Sequence, residues 1–278
     1  MPTVNTNVAA IKARLSLDKV QRELDTSIAR LSSGKRITRA HDDAAGMAIA
    51  GRMDSQIRGL TMNIKNAKDG QSLVDTQEGA LQQVTALLQR MRELAVQASS
   101  GTVMLNTADK DSLQLENRAL MHEILAIGQN TKFNDTNVLT GKAFSFYTDI
   151  DVAGTALTTV TAALYTSTLN IATATISIGG GETAANIAKV ISVIDDAIAK
   201  VDNRRANLGA ISNRFDHIID NLTNVVANTE AARSRVQDAD FAIETTQLTR
   251  NTILQQAATS MVAQANTSKN MLMALIQG

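Results

Sequence analysis

Two long stretches of this chain place an apolar residue at every seventh position. The first repeat consists of Leu60, Ala67, Val74, Leu81, Leu88 and Ala95. The second consists of Ile187, Ile194, Val201, Leu208, Phe215 and Leu222. A strict period of seven over so many turns is typical of the seam of a helical bundle or coiled coil. The only proline is Pro2, so no proline interrupts a later helix. The sequence therefore predicts a mainly α, elongated helical bundle.

Shorter amphipathic helices are predicted at both ends of the chain. Between Val4 and Leu31 the apolar residues recur every three or four positions, with one change of phase near the middle. A second stripe begins at Leu254 and continues to the end of the chain. Ser33 and Gly34 are predicted to end the first helix, and a polar joint follows at 35–43. A second polar joint, at 233–240, precedes the last helix.

The middle of the chain has a different composition. Thr, Val, Ile and Phe dominate from about 133 to 181, and glycines punctuate the segment. These residues indicate strands and turns, so we expect a β-hairpin within a small cap. The order of elements is almost symmetrical about this cap, and the two ends should therefore meet. We predict a terminal coiled-coil domain from 1–43 and 236–278, and a helical rod from 44–235 that includes the cap.

Composition argues against several classes of function. Lys plus Arg and Asp plus Glu each number 27, so no net field attracts nucleic acid or an anionic membrane. Cysteine and tryptophan are absent, and aromatic residues make up 3 % of the chain. Thiol catalysis and thiolate metal sites are thereby excluded, and a ligand-stacking pocket is disfavoured. No stretch approaches the roughly 20 apolar residues of a membrane span, and no ordinary cleaved signal peptide is expected.

The candidate chemical sites have simpler structural explanations. His41, His122 and His217 lie in separate segments and lack the spacing of metal ligands, so we expect no metal. The adjacent Asp42 and Asp43 would diverge on a helix and could not share a substrate. Gly179–Gly181 lacks the Lys-Ser/Thr of a phosphate-binding loop. We therefore expect neither catalytic residues nor a cofactor.

The terminal helices have too few intramolecular partners to bury their apolar stripes. An isolated helix is marginal in water, and most helical stability comes from the burial of an apolar face. We therefore expect these helices to pack against each other and against other copies of the chain. The residues predicted to mediate self-assembly are Val8, Ile11, Leu15, Leu24, Ile28, Leu31, Leu254, Met261, Leu272 and Leu275.

Several motifs in fixed order resemble the bacterial flagellin signature. They are LSSGKRITRAHDDAAGMAIAGRM, GQSLVDTQEGALQQVTALLQRMRELAVQA, TKFNDTNVL, RANLGAISNRF, ARSRVQDADFA and ILQQAATSMVAQAN. The resemblance covers roughly 1–141 and 184–278, and it implies a short flagellin without the large outer domains. It implies a subunit whose paired terminal helices line a hollow filament that serves swimming motility.

The resemblance also implies partners and a location. The partners would be other copies of the chain, a filament cap protein, hook-filament junction proteins and an export chaperone. The subunit would be secreted through the flagellar channel to the extracellular filament. A hook-filament junction protein is the alternative within the same general class. A coiled-coil signalling or adhesion module is the alternative from another class, and it would explain the heptads but not the order of the motifs.

The resemblance finally implies an innate-receptor contact. In flagellins that activate Toll-like receptor 5, an Arg, a Leu and a Glu occupy the positions that match Arg90, Leu94 and Glu116. Arg90 and Leu94 are four residues apart and are predicted to share one face of a helix. Packing within the filament is the simpler role for these residues, and a receptor would make secondary use of them.

Overall fold

The computed structural model describes residues 6–100, 106–147, 157–163, 176–180 and 182–277, with side chains described for 6–100, 106–146, 160, 176–180 and 182–268. The helices in these ranges are α1 (Val8–Ser33), α2 (Ala44–Ala98), α3 (Thr107–Asn130), α4 (Ala184–Gln237) and α5 (Phe241–Gln277). The strands are β1 (Lys132–Phe133), β2 (Thr136–Asn137), β3 (Thr140–Tyr147) and β4 (Leu157–Ala163). The mainly α fold with a small β region is confirmed.

The described residues fall into two compact units. A terminal unit comprises Met1–Ile57 and Ala227–Gly278, and a central unit comprises Arg58–Val226. Helices α2 and α4 each contribute residues to both. The limits of the compact units differ from those of the predicted segments, and the assignment of the segments to a tube and a rod stays a prediction.

The central unit is built on the two seven-residue repeats. Every member of both repeats is buried, and Leu81, Leu88 and Phe215 have no exposed surface. Helix α4 lies antiparallel to α2, and three polar contacts join them: Gln71 to Asp216 at 2.8 Å, Glu78 to Arg205 at 2.8 Å and Arg92 to Asp195 at 2.6 Å. The predicted bundle seam is therefore the core of this unit.

A short and a long hairpin occupy the predicted β region. Strands β1 and β2 are joined by Asn134 and Asp135, whose φ values of 49° and 59° suit a two-residue type I′ turn. Strand β3 pairs antiparallel with β4, from Tyr147 opposite Leu157 to Thr140 opposite Ala163. The expected β-hairpin is thus present, while 148–156, 164–175 and 181 lie outside the described residues.

Side chains of α3 bind the extended segment 176–180 that leads towards α4. Asn117 donates to the Ile176 carbonyl at 2.9 Å, and Gln114 accepts from the Ile178 amide at 2.7 Å. One turn nearer the start of α3, Asp111 accepts from the Gly180 amide at 2.7 Å. Polar side chains of α3 therefore satisfy the hydrogen-bonding needs of backbone N–H and C=O groups in the segment 176–180.

In the terminal unit, α1 and α5 pack antiparallel along their length. Asn7 caps the start of α1 and also donates to the Ala265 carbonyl at 2.9 Å. Helix α1 ends at Ser33 because Gly34 adopts a left-handed conformation with φ of 68°. The predicted stop at Ser33-Gly34 and the predicted pairing of the chain ends are confirmed.

The two polar joints of the terminal unit are hydrogen-bonded to each other. Lys35 forms a β-bridge with Asp238, and the Ala239 amide donates to the Gly34 carbonyl at 3.0 Å. The joint before α5 is shorter than predicted, because α4 continues through 233–237 and only 238–240 remain outside a helix. This pairing between polar segments was not predicted from the sequence. Ile37, in the first joint, has almost no exposed surface.

Candidate self-assembly surface

The apolar stripe of α1 is only partly buried. Leu24 and Leu31 are partly buried, whereas Val8, Ile11 and Leu15 are exposed, Leu15 by 64 %. Antiparallel α5 covers one side of α1, and no other described element of this unit packs extensively on α1. The predicted assembly residues of α1 therefore comprise an exposed set and a partly buried set, and Ile28 joins the exposed set.

Helix α5 carries a similar excess of exposed apolar side chains. Leu254 and Met261 are exposed, Met261 by 63 %, together with Phe241, Ile243 and Ile253, which the sequence analysis did not select. The side chains of the predicted Leu272 and Leu275 lie outside the described residues. We call the following set the terminal apolar surface: Val8, Ile11, Leu15, Ile28, Phe241, Ile243, Ile253, Leu254 and Met261.

The most deeply buried positions between α1 and α5 include polar groups. Ser27, Glu244 and Asn251 are buried, while larger apolar residues of the same helices are exposed. Arg30 forms an ion pair with Glu244 at 3.0 Å, and Gln255 donates to Gln21 at 2.5 Å. Such contacts specify how two helices align, but they contribute less burial energy than apolar packing does. The pair therefore keeps its apolar surface available for further association.

The carboxylates of the first polar joint stabilise its backbone. Asp42 accepts hydrogen bonds from the Thr38 and Arg39 amides at 3.1 and 2.9 Å, and the Arg39 contact chiefly lowers the pKa of Asp42. Asp43 accepts from the Gly46 amide at 2.8 Å, at the start of α2. These local bonds give the two carboxylates structural roles. No metal-binding cluster of His, Cys, Asp and Glu is found among the described residues.

The three predicted receptor residues differ in accessibility. Arg90 is exposed, pairs with Glu116 at 2.8 Å and contacts Glu93 at 3.0 Å, and the Glu116 hydrogen bond chiefly raises the pKa of Arg90. Leu94, by contrast, has no exposed surface and belongs to the central core. Arg90 and Leu94 are predicted to share one face of a helix, but only Arg90 is accessible there, because Leu94 is enclosed in the core. Side chains four residues apart are offset around a helix, and the edge of the core falls between these two. The receptor contact itself stays a prediction.

Helices that pair through a partly polar seam and leave apolar side chains exposed are typical of proteins that associate with further chains. Comparison with known families agrees with this class. The bacterial flagellin N-terminal helical region matches residues 4–143, and the bacterial flagellin C-terminal helical region matches residues 191–276. The chain belongs to the bacterial flagellin family. It is a structural subunit of the flagellar filament, an extracellular structure that serves motility.

Individual relatives share the whole length of the chain. Flagellin of Bacillus subtilis is 36 % identical over 302 aligned residues, which cover 99 % of each chain. Flagellin A of Vibrio anguillarum is 32 % identical over 378 aligned residues, again with 99 % of each chain covered. The second alignment is longer than the 278 residues present here. The chain is therefore a short form of the family, as the sequence predicts.

A solved structure supports the fold independently. A putative flagellar hook-associated protein from Vibrio parahaemolyticus is similar with a TM-score of 0.61 and 13 % identity, over 71 % of this chain and 100 % of that one. At this identity the likeness concerns the architecture alone.

Within the described ranges, no helix combines the length and apolar character needed to cross a membrane.

Proposed function

We propose that the terminal apolar surface is where neighbouring subunits contact each other in the filament. The supporting observation is its exposure within a helix pair whose buried contacts are partly polar. Full burial of one large aliphatic side chain contributes about 1.5–3 kcal/mol. Several such residues, together with Leu24 and Leu31 of the α1–α5 seam and the predicted Leu272 and Leu275, supply a driving force for polymerisation. In this proposal, 1–43 with 236–278 form the inner tube, and 44–235 forms the surrounding spoke.

The role is structural rather than catalytic, and the subunit uses no cofactor. Self-association supplies the main partner, and the filament context adds a cap protein, hook-filament junction proteins and an export chaperone. We further propose that the subunit is exported through the flagellar channel without a cleaved signal peptide. Neither nucleic acid nor a membrane is a partner, which agrees with the balance of 27 basic and 27 acidic residues.

Deletion of residues 1–31 or 240–278 tests this division of roles. The truncated proteins should remain soluble and helical, because the core of the central unit draws on neither deleted segment. They should not elongate filament seeds, because the first deletion removes four and the second removes five of the nine residues of the terminal apolar surface. Circular dichroism monitors the helix content, and sedimentation monitors the polymer. Elongation by either truncated protein would refute the proposal.

A second candidate role is recognition by Toll-like receptor 5. Arg90 and Glu116 lie on the exposed side of α2 and α3 and offer charged groups, whereas Leu94 would require local rearrangement to reach a partner. We expect Arg90→Ala in dissociated subunits to weaken activation of reporter cells strongly. Arg92→Ala is the matched control, because Arg92 is a similarly exposed arginine of α2 whose partner is Asp195 instead. Equal potency of the two variants would argue against the role.

A further inference from the structure

A cavity of about 740 Å³ lies between α1 and α5 in the terminal unit. Its walls carry four basic side chains and one acidic side chain. The basic residues are Lys19, Arg22, Arg30 and Arg250, and the acidic residue is Glu23. The chain as a whole is neutral, so this excess of positive charge is a local feature.

Two of the four basic groups have carboxylate partners within the unit. Arg30 pairs with Glu244 at 3.0 Å, and Lys19 lies 3.9 Å from Glu23. The guanidinium groups of Arg22 and Arg250 form no ion pair or hydrogen bond with any residue in the described part of the chain. One belongs to α1 and the other to α5, so the uncompensated charge comes from both walls of the cavity.

Two buried polar side chains line the same cavity. Ser27 and Asn251 line the cavity and are 2 % and 6 % exposed. The Nε atom of Arg30 is buried without a partner, and so is the Oε2 atom of Glu244, the carboxylate that pairs with Arg30. A hydroxyl, an amide and a guanidinium N–H can all donate, so the lining of the cavity offers several donors to an acceptor.

Filament assembly would make this arrangement costly if the cavity held only water. Neighbouring subunits that cover the terminal apolar surface would also reduce the solvent around Arg22 and Arg250, and uncompensated charge is destabilising when desolvated. We propose that the cavity binds a tetrahedral oxyanion of the phosphate class, held between Arg22 and Arg250. This inference rests on the proposed function, because the need to neutralise the charge arises from assembly.

A tetrahedral oxyanion matches the donors better than a single carboxylate does. Guanidinium groups bind phosphate oxygens through paired N–H donors, and approach from two helices uses oxygens on different sides of the anion. Ser27 and Asn251 can donate to the remaining oxygens. The bound anion would join α1 to α5 and strengthen their pairing within the filament.

Equilibrium dialysis of assembled filaments against radiolabelled inorganic phosphate tests the site at fixed ionic strength. Wild-type filaments should bind phosphate saturably, with about one anion per subunit. Arg250→Gln should weaken binding about tenfold or more, because it removes one charged donor pair. Arg14→Gln is the matched control: it removes the same charge from an exposed position of α1 that does not line the cavity, and its binding should equal that of the wild type.

Asn251→Asp provides a second variant in case Arg250→Gln does not assemble. It places a carboxylate in the cavity, so its filaments should form without binding phosphate. The proposed site would be refuted if wild-type filaments showed no saturable phosphate binding. It would also be refuted if Arg250→Gln and Arg14→Gln weakened phosphate binding equally. If wild-type filaments contained no phosphate while Arg250→Gln still prevented assembly, the cavity would hold a carboxylate of a neighbouring subunit instead of phosphate. If the wild-type chain formed no filaments on seeds, the proposed function itself would fail and the site would lose its basis.

Discussion

The central and terminal units contain similar apolar periodicities but bury them differently. In the central unit, residues such as Leu88 and Phe215 are completely enclosed by other parts of the same chain. In the terminal unit, Leu15 and Met261 also belong to apolar stripes of helical spacing but remain more than 60 % exposed. Apolar periodicity thus predicts a helix and its apolar face in both units. It does not say whether the partner of that face belongs to the same chain or to another copy.

This comparison separates residues that stabilise the subunit from residues that join subunits. A side chain with no exposed surface has already contributed its burial energy to folding, so its removal should lower the free energy of unfolding. An exposed apolar side chain has contributed little, so its removal should act mainly on association. Matched substitutions in the two units can test this difference.

Removal of a phenylalanine ring should give the largest contrast. Phe215→Ala should lower the free energy of unfolding by about 3–5 kcal/mol, because it leaves a cavity where the ring packs against Phe146 with centroids 5.9 Å apart. Phe241→Ala removes a ring that is 58 % exposed, and we expect a change of about 0.5 kcal/mol or less. Urea unfolding of dissociated subunits measures both values. Similar losses in the two variants would contradict the division between the units.

Two glycines of α2 should respond in opposite directions to the same substitution. A Cβ atom at Gly70 would lie 2.6 Å from the Phe215 ring, whereas a Cβ atom at Gly79 would meet no atom within 4 Å. Gly70→Ala should therefore destabilise the central unit by about 1–3 kcal/mol through overpacking. Gly79→Ala should stabilise it by about 0.5–1 kcal/mol through improved helix propensity. Thermal unfolding followed by circular dichroism compares the two, and stabilisation by both would show that the Phe215 ring is free to move.

The smallest effect is expected for the surface ion pairs of the central unit. Arg92 and Asp195 are each about half exposed, and their contact at 2.6 Å is screened by solvent. Arg92→Ala should therefore lower the free energy of unfolding by less than about 1 kcal/mol. The same unfolding assay measures this value. A loss comparable to that of Phe215→Ala would mean that polar contacts, rather than the buried repeats, hold α2 against α4.

The sequence predicts much of this architecture because its apolar repeats are long and regular. The heptads from Leu60 and from Ile187 indicate the core residues directly, and Gly34 marks a helix end through its own backbone preference. The location of Leu94 was harder to predict, since a four-residue spacing fixes an angular offset but not the edge of the core. The pairing of the joints and the basic cavity could not be predicted at all. They depend on residues such as Arg22 and Arg250, which come together only when the distant ends of the chain meet.

The central claim is that the terminal apolar surface serves assembly while the seven-residue repeats serve folding. Seeded elongation and urea unfolding of Met261→Asp and Leu208→Asp test it most directly. Met261→Asp should abolish elongation and leave the unfolding of dissociated subunits unchanged, because its new charge stays hydrated until a neighbour covers it. Leu208→Asp should unfold the central unit, because its charge would enter an enclosed core. The claim would be contradicted if Met261→Asp elongated seeds at the wild-type rate. It would also be contradicted if Met261→Asp lowered the free energy of unfolding as much as Leu208→Asp does.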